Sequence, residues 1–377
     1  MLQITEPVLL LDTQKCRRNI EMMIEKARRN QVRLRPHFKT HQSQQVGRWY
    51  RGAGVGAITV SSLRMAKYFA ADGWQDITVA FPINILEINT INALAQQITL
   101  NLATLDANVT DELGKQLQFD TNLYLKIDIG YHRTGLLPQD KASIDAILKV
   151  IDKYPKLHFR GFLGHAGHSY GARATAEILE IHKQSIALLT ELKAHYSKQY
   201  PDLELSTGDT PTCSVAEDFS RVDEIRPGNF VFYDLTQNLI GSCRKEQIAV
   251  ALACPVVAKH ADRHEIILYG GGVHFSKDFL DLDEGRRSYG ELVHLGKNGW
   301  SAPIEGCYLT RLSQEHGTLR VDAAHFKRIK IGDVVTILPV HSCMTANAMR
   351  AFRTLDGQWL DHMNGEDIRA AALNQPF

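Results

Sequence analysis

Lys39 stands in Arg35-Pro-His-Phe-Lys-Thr-His41, and several other short stretches of this 377-residue sequence carry comparably reactive groups. Asp128 and Arg133 lie in Lys126-Ile-Asp-Ile-Gly-Tyr-His-Arg-Thr-Gly135, and His165, His168 and Tyr170 form a third group. Thr207-Gly-Asp-Thr-Pro-Thr212 and Arg226-Pro-Gly-Asn229 are small, hydroxyl-rich or glycine-containing turns. Such turns at helix N-termini bind phosphate through backbone N–H groups and the helix dipole. A lysine among other cationic groups has a depressed pKa, and its neutral amine can condense with an aldehyde. Arg35, His37 and His41 are the candidates for that effect. Each feature alone has an ordinary explanation. Lys39 could be a solvated strand cap, Arg133 the ion-pair partner of Asp128, and the Thr-Gly-Asp-Thr-Pro-Thr run a capping turn. Together they suit an anionic, aldehyde-bearing cofactor, pyridoxal phosphate.

A second signal lies in Pro339-Val-His-Ser-Cys-Met-Thr-Ala-Asn347. On a strand, residues i and i+2 share a face, so His341 and Cys343 could both reach one metal ion. Imidazole plus thiolate favours zinc, with positions left for water or substrate. Two core residues on one strand face is the default for a lone His-x-Cys; the added weight comes from its company, Gln314-Glu-His-Gly317 included. Other motifs fail. Gly52-Ala-Gly-Val-Gly-Ala57 precedes a strand instead of opening a helix, so it is no dinucleotide loop. His37/His41 and His165/His168 lack both the helical setting and the Glu of a metalloprotease site. Gly270-Gly-Gly272 reads as a turn.

These groups need a frame that gathers strand ends. Apolar, β-branched runs predict strands at 34–38, 56–60, 77–81, 98–104, 122–129, 159–166, 204–208 and 224–234. Helical spacing predicts helices at 13–29, 61–71, 139–153 and 172–198. Eight strands alternating with helices predict a parallel (β/α)8 TIM-type barrel, which carries its chemistry after the C-terminal strand ends. The reactive groups named above fall at those ends. After about Asp234 the texture changes to β-rich runs at 247–260, 265–269, 318–322 and 333–341, with a helical tail from 365. The expectation is a barrel over residues 1–240 and a smaller, mainly antiparallel β domain over 241–377.

Composition narrows the class. Lys+Arg 43 against Asp+Glu 42 leaves a net charge of +1, which argues against nucleic-acid or membrane-surface binding. The longest apolar run, 248–258, is too short to span a bilayer and contains Pro255. The N-terminal stretch has no basic n-region and carries Glu6 and Asp12, so no signal peptide is expected. Six scattered cysteines without a Cys-x-x-Cys pair suit reduced thiols in a cytoplasmic enzyme.

Arg35-Pro-His-Phe-Lys-Thr-His41, Gly167-His-Ser-Tyr170, Thr210-Pro-Thr212, Glu224-Ile-Arg-Pro-Gly-Asn-Phe-Val-Phe-Tyr-Asp234 and His341-Ser-Cys343 resemble the D-serine dehydratase/D-threonine aldolase family. That family belongs to the alanine-racemase-like, fold type III pyridoxal-phosphate enzymes. The resemblance covers nearly the whole chain. It implies that Lys39 carries the cofactor and that Arg133 lies near its phenolic oxygen. Tyr170 and Arg226 are both candidates for the pyridine nitrogen. Gly208, Asp209, Thr210, Gly228 and Asn229 match the phosphate-binding turns, and His341 and Cys343 the metal pair. A Cys at the second metal position resembles the zinc-dependent dehydratases, where the aldolases commonly carry Asp. Tyr269-Gly-Gly-Gly-Val-His-Phe-Ser-Lys-Asp278 departs from the family's Asp-Ala-Gly pattern, and His165-Ala-Gly-His168 is also unusual.

The resemblance implies a pyridoxal-phosphate- and metal-dependent lyase acting on a β-hydroxy-D-amino acid, D-serine or D-3-hydroxyaspartate foremost. Elimination of water is expected ahead of retro-aldol cleavage to glycine and an aldehyde. A racemase would need a second base and gives the metal pair no purpose; a non-catalytic cofactor carrier would lack the β domain. A homodimer is the implied assembly.

Overall fold

Apolar runs bounded by turns form two large sheets in the computed structural model, which describes residues 3–365. The first is parallel and eight-stranded. Its order is Arg33–Leu34, Glu224–Ile225, Glu204–Thr207, Leu157–Gly164, Thr121–Ile127, Thr99–Thr104, Asp76–Pro82, Ala57–Val60. The two edges meet: His37 bridges Thr59 in parallel, Phe38 N donates to Thr59 O at 2.9 Å, and Thr59 N donates to Pro36 O at 2.9 Å. The sheet therefore closes into the expected barrel.

The barrel interior combines apolar side chains with a buried ion network. Phe38, Phe69, Trp74, Tyr124 and Phe162 are almost wholly inaccessible, and the rings of Phe69 and Trp74 pack edge-on to Phe38. Arg35, 1% exposed, donates to Glu224 Oε2 at 2.6 Å and to both carboxylate oxygens of Asp76 at 2.6 and 3.0 Å. Arg33 also reaches Glu224, at 2.6 Å, and pairs with Glu204. Burial opposes the charge of Glu224, but Arg35 and Arg33 outweigh it and hold the carboxyl down to about 2. Arg35, expected to depress the lysine amine, is instead committed to carboxylates.

The second sheet has nine strands and is mainly antiparallel. Its order is Glu265–Tyr269, His316–Arg320, Tyr308–Leu312, Gly290–Val293, Val334–Pro339, Val250–His260, Val8–Leu11, Phe352–Thr354, Trp359–Leu360. Glu265–Tyr269 also pairs with Val250–His260, so part of this sheet curls back on itself. Val8–Leu11, absent from the sequence expectation, lies antiparallel to Val250–His260 and parallel to Phe352–Thr354. Contacts divide the chain into two units. The barrel unit is Glu21–Lys39 plus Gly47–Gly228; the other takes Thr40–Val46, the described residues up to Ile20 and those from Asn229 onward. A division by chain order at residue 240 thus leaves with the barrel some stretches whose contacts lie with the antiparallel sheet.

Two strand expectations need correction. The run 224–234 is a strand only over Glu224–Ile225; Pro227 and Gly228 end it, and a short 3-10 turn, Asn229–Val231, follows. Asp234 then caps the helix Leu235–Leu239, accepting from Gln237 N at 2.8 Å. The run 333–341 is a strand only over Val334–Pro339. His341 is the N-cap of the helix Ser342–Met349, whose first amide, Ser342 N, donates to Asp234 Oδ2 at 3.0 Å. His341 and Cys343 are therefore not i, i+2 neighbours on a strand face. Thr13–Arg29 is helical over the expected bounds, whereas the tail helix expected from residue 365 lies, beyond Gly365, outside the described residues.

Candidate functional site

In the barrel unit Lys39 follows the bridge that closes the sheet. His37 N donates to Pro227 O at 2.8 Å, and Lys39 N donates to His37 Nδ1 at 3.3 Å, which fixes the lysine's backbone. Positive charge recurs among the neighbouring titratable groups. Burial first, then Arg133, Arg226 and Lys39, push Lys126 down to about 8. Burial, then Lys39 and Arg226, keep His37 well below its usual value; burial with Lys39, Arg226 and Arg133 holds His165 down at about 3, against the bond from His165 Nδ1 to Gly208 O at 3.1 Å. Clustered positive charge of this kind calls for an anion. His41 supplies none of it: its Nδ1 accepts from Ser43 N at 3.0 Å, and burial holds its pKa at about 3.

The turn matched to phosphate binding is a buried helix cap. Asp209 caps the helix Thr210–Val215, accepting from Thr212 N at 2.9 Å, Thr212 Oγ1 at 2.8 Å and Ser169 Oγ at 2.7 Å; burial raises its pKa to about 6. Thr210 N donates to Tyr170 Oη at 3.4 Å, while Thr210 Oγ1 is buried without a hydrogen-bond partner among the described residues. Gly208 has φ +139°, and a Cβ there would sit 2.5 Å from Arg226 N, so only glycine lets the turn approach that strand. Arg226 is fully buried, donating through Nε to Ser206 Oγ at 2.7 Å and through Nη2 to Gly164 O at 2.5 Å. Asp128 accepts from Gly130 N and His132 N, both at 3.0 Å, and contacts His132 Nδ1 at 3.1 Å. Arg133 stacks on Tyr131, its guanidinium carbon 4.8 Å from the ring centroid, instead of pairing with that aspartate.

The antiparallel unit holds the His341/Cys343 pair at the start of a helix. His341 Nδ1 lies 3.1 Å from Asp278 Oδ2. Cys343 Sγ lies 3.3 Å from Thr40 Oγ1 and accepts from Asn229 Nδ2 at 3.3 Å. Burial opposes the charge on His341, but hydrogen bonds to Asp278 and Cys343 outweigh it and push the pKa up to about 11. Burial likewise opposes the thiolate, and the His341 and Thr40 bonds outweigh it, so Cys343 is lowered from the usual thiol value. Each group of the pair thus favours the charged form of the other. A metal ion binding there would displace the proton between them and meet one N and one S ligand.

Sequence reasoning missed three contributors here. Asn229, matched to a phosphate turn, spends its side-chain amide on Cys343, on Asp234 Oδ2 at 2.8 Å and on Ser342 Oγ at 3.1 Å. Thr40 was visible only as the residue after Lys39. Asp278 ended a stretch noted for its departure from the family pattern. Gln314-Glu-His-Gly317 braces the 270–274 turn, where Gly270 N donates to Glu315 O at 2.9 Å and Glu315 lies 3.8 Å from His274. Cys307, Asp322 and His325 also group possible ligand atoms within 4.8 Å, but Asp322 serves as the helix cap for His325 N at 2.8 Å.

A closed parallel barrel with a lysine after its Arg33–Leu34 strand and a separate antiparallel sheet match the alanine-racemase-like class. The alanine racemase N-terminal domain matches residues 11–235, and a serine dehydratase domain matches residues 249–355. The chain belongs to the D-serine dehydratase/D-threonine aldolase family within that class. It is 30% identical over 369 residues to D-threo-3-hydroxyaspartate dehydratase of Delftia sp. (strain HT23), covering 94% of this chain and 95% of that protein. The solved structure of that dehydratase has a TM-score of 0.88 at 27% identity, covering 97% of this chain and 99% of the other. D-serine dehydratase of Dictyostelium discoideum is 27% identical over 372 residues, covering 91% of each chain. D-threonine aldolase of an Arthrobacter species is 22% identical over 353 residues, covering 92% of this chain and 87% of the relative. No helix among the described residues is long and apolar enough to cross a membrane.

Proposed function

We propose that this chain is a pyridoxal-phosphate- and metal-dependent lyase that eliminates water from a β-hydroxy-D-amino acid, D-3-hydroxyaspartate or D-serine. The products are the corresponding keto acid, oxaloacetate or pyruvate, and ammonia. The observation that carries the elimination reading is Cys343, whose sulfur is held by Thr40 and Asn229 beside His341 in surroundings that favour its thiolate form. Thiolate plus imidazole is a donor set for zinc. The dehydratase relatives at 30% and 27% identity support the same branch.

The cofactor fits the barrel unit's own groups. Lys39 supplies the amine that anchors the aldehyde. The turn at Gly208, Asp209 and Thr210, whose Thr210 hydroxyl has no hydrogen-bond partner among the described residues, would take the phosphate, with Gly228 completing it. Arg133 would meet the phenolic oxygen, and Tyr170 and Arg226 are the residues proposed for the pyridine nitrogen. When bound, pyridoxal phosphate supplies an electron sink for the carbanion at Cα. Lys39 Nζ would take the Cα proton. His341 and Cys343 would hold a divalent ion, zinc by ligand type, which supplies Lewis acidity toward the β-hydroxyl so that it leaves as water. The neutral imidazoles of His37 and His165 add no competing positive charge.

A cytoplasmic location and a homodimer complete the proposal; all six cysteines are free thiols, which supports a reducing compartment. The test is chelation. Metal removal should abolish ammonia release from D-3-hydroxyaspartate and D-serine, readdition of Zn2+ should restore it, and the visible cofactor absorbance should persist throughout. Full turnover in the metal-free protein would refute the Lewis-acid role.

A further inference from the structure

Asp278 lies on the loop that follows the short helix Gly272–Phe275, and two separate hydrogen bonds fix its carboxylate. Oδ2 accepts from Ser276 Oγ at 2.8 Å and faces His341 Nδ1 at 3.1 Å. Ser276 is held at φ +74°, ψ −177°, a conformation that is strained for a non-glycine residue and survives only where neighbours enforce it. Two neighbours do so. Ser276 N donates to Gly272 O at 2.9 Å, and Thr345 Oγ1, on the helix that carries Cys343, donates to Phe275 O at 3.0 Å. A strained serine is thus tied to the helix of the thiol and aims its hydroxyl at the carboxylate that meets the histidine.

An imidazole has two nitrogens, and the partner of one decides which is free to bind a metal. With Nδ1–H donated to Asp278, the lone pair falls on Nε2, the nitrogen left to join Cys343 as ligand. We propose that Asp278, oriented by Ser276, is the positioning residue of the metal pair, setting the tautomer and ring angle of His341 and raising its basicity as a ligand. The inference rests on reading His341 and Cys343 as metal ligands and deepens that reading. Partners of this kind behind metal-bound histidines are typically worth about 10–100-fold in metal affinity.

The test uses the cofactor-loaded protein, stripped of metal and titrated with Zn2+ against a chromophoric chelator, and separately with Co2+ to read the thiolate-to-cobalt absorption band. Asp278→Ala should bind Zn2+ about 10–100-fold more weakly and shift the cobalt band, while the cofactor absorbance and thermal midpoint stay at wild-type values. Asp278→Asn keeps an acceptor for Nδ1–H and should recover most of the affinity. Ser276→Ala should lie between wild type and Asp278→Ala, and it carries the test if Asp278→Ala does not fold. Wild-type affinity and an unchanged cobalt band in all three variants would overturn the role of Asp278. A wild-type protein that binds neither ion would instead overturn the metal pair itself, and the inference with it.

Discussion

Thr40 Oγ1 lies 3.3 Å from Cys343 Sγ, and Thr40 is the residue that follows Lys39 in the chain. The threonine is not free to drift. Asp361 accepts from Ser43 Oγ at 2.7 Å, Gln44 N at 2.8 Å and Gln45 N at 3.0 Å, and Met363 N donates to Gln42 O at 2.7 Å. The stretch Thr40–Val46 is thereby pinned within the antiparallel unit, and the hydroxyl is held at the thiol.

Thr40→Val and Asn229→Leu should each weaken the thiolate. A hydrogen bond to a charged group contributes about 1.5–3 kcal/mol, so each variant should raise the Cys343 pKa. Titration of iodoacetamide reactivity in metal-free protein would show it as a shift of the alkylation midpoint to higher pH. An unchanged midpoint in both variants would mean that these bonds do not set the ionisation.

Glu224 predicts the acid behaviour of the barrel. Its carboxyl is held down to about 2 when folded, against 4.5 for the ordinary group, chiefly because Arg35 and Arg33 outweigh its burial. A depressed carboxyl contributes stability that is fully present above pH 4.5 and is lost as the pH falls toward 2. Glu224→Gln leaves Arg35 short of a buried counter-charge and should cost about 3–5 kcal/mol at pH 7. In urea unfolding, wild type should lose midpoint steadily below pH 4.5, and the variant should begin lower and lose less over that interval. Parallel curves for the two proteins would contradict the assignment.

Gly208→Ala tests the anion turn. At φ +139°, with Arg226 N 2.5 Å from the added Cβ, the backbone must shift to admit the methyl group. The expected result is a folded protein that loses pyridoxal phosphate readily on dialysis, measured by its visible absorbance. Retention equal to wild type would place the phosphate elsewhere.

Much of this was legible because the relevant signals are local. The barrel shows itself through short apolar runs between helices, and the residues after those runs named Lys39, Asp209 and Arg226 directly. The failures arise where distant partners decide. Val8–Leu11 is four apolar residues without alternation, and only its pairing with residues 250–253 makes it a strand. His341-Ser-Cys343 continues a β-rich run, yet Asp234 takes Ser342 N and Ser342 Oγ and turns the chain into a helix; no feature of the His-x-Cys spacing reports that aspartate. Arg35 looked like a neighbour for Lys39 because it is close in sequence, but its buried guanidinium answers to Glu224 and Asp76.

The reaction itself is tested most directly by product analysis on the metal-loaded, cofactor-loaded protein. D-threo-3-hydroxyaspartate, D-serine, D-threonine and their L-isomers would be incubated separately and followed by proton NMR with a parallel ammonia assay. The expected result is oxaloacetate or pyruvate with one ammonia per substrate from the first two, and no turnover of any L-isomer. Glycine and acetaldehyde from D-threonine, with no ammonia from D-serine or D-threo-3-hydroxyaspartate, would contradict it and assign the chain to retro-aldol cleavage.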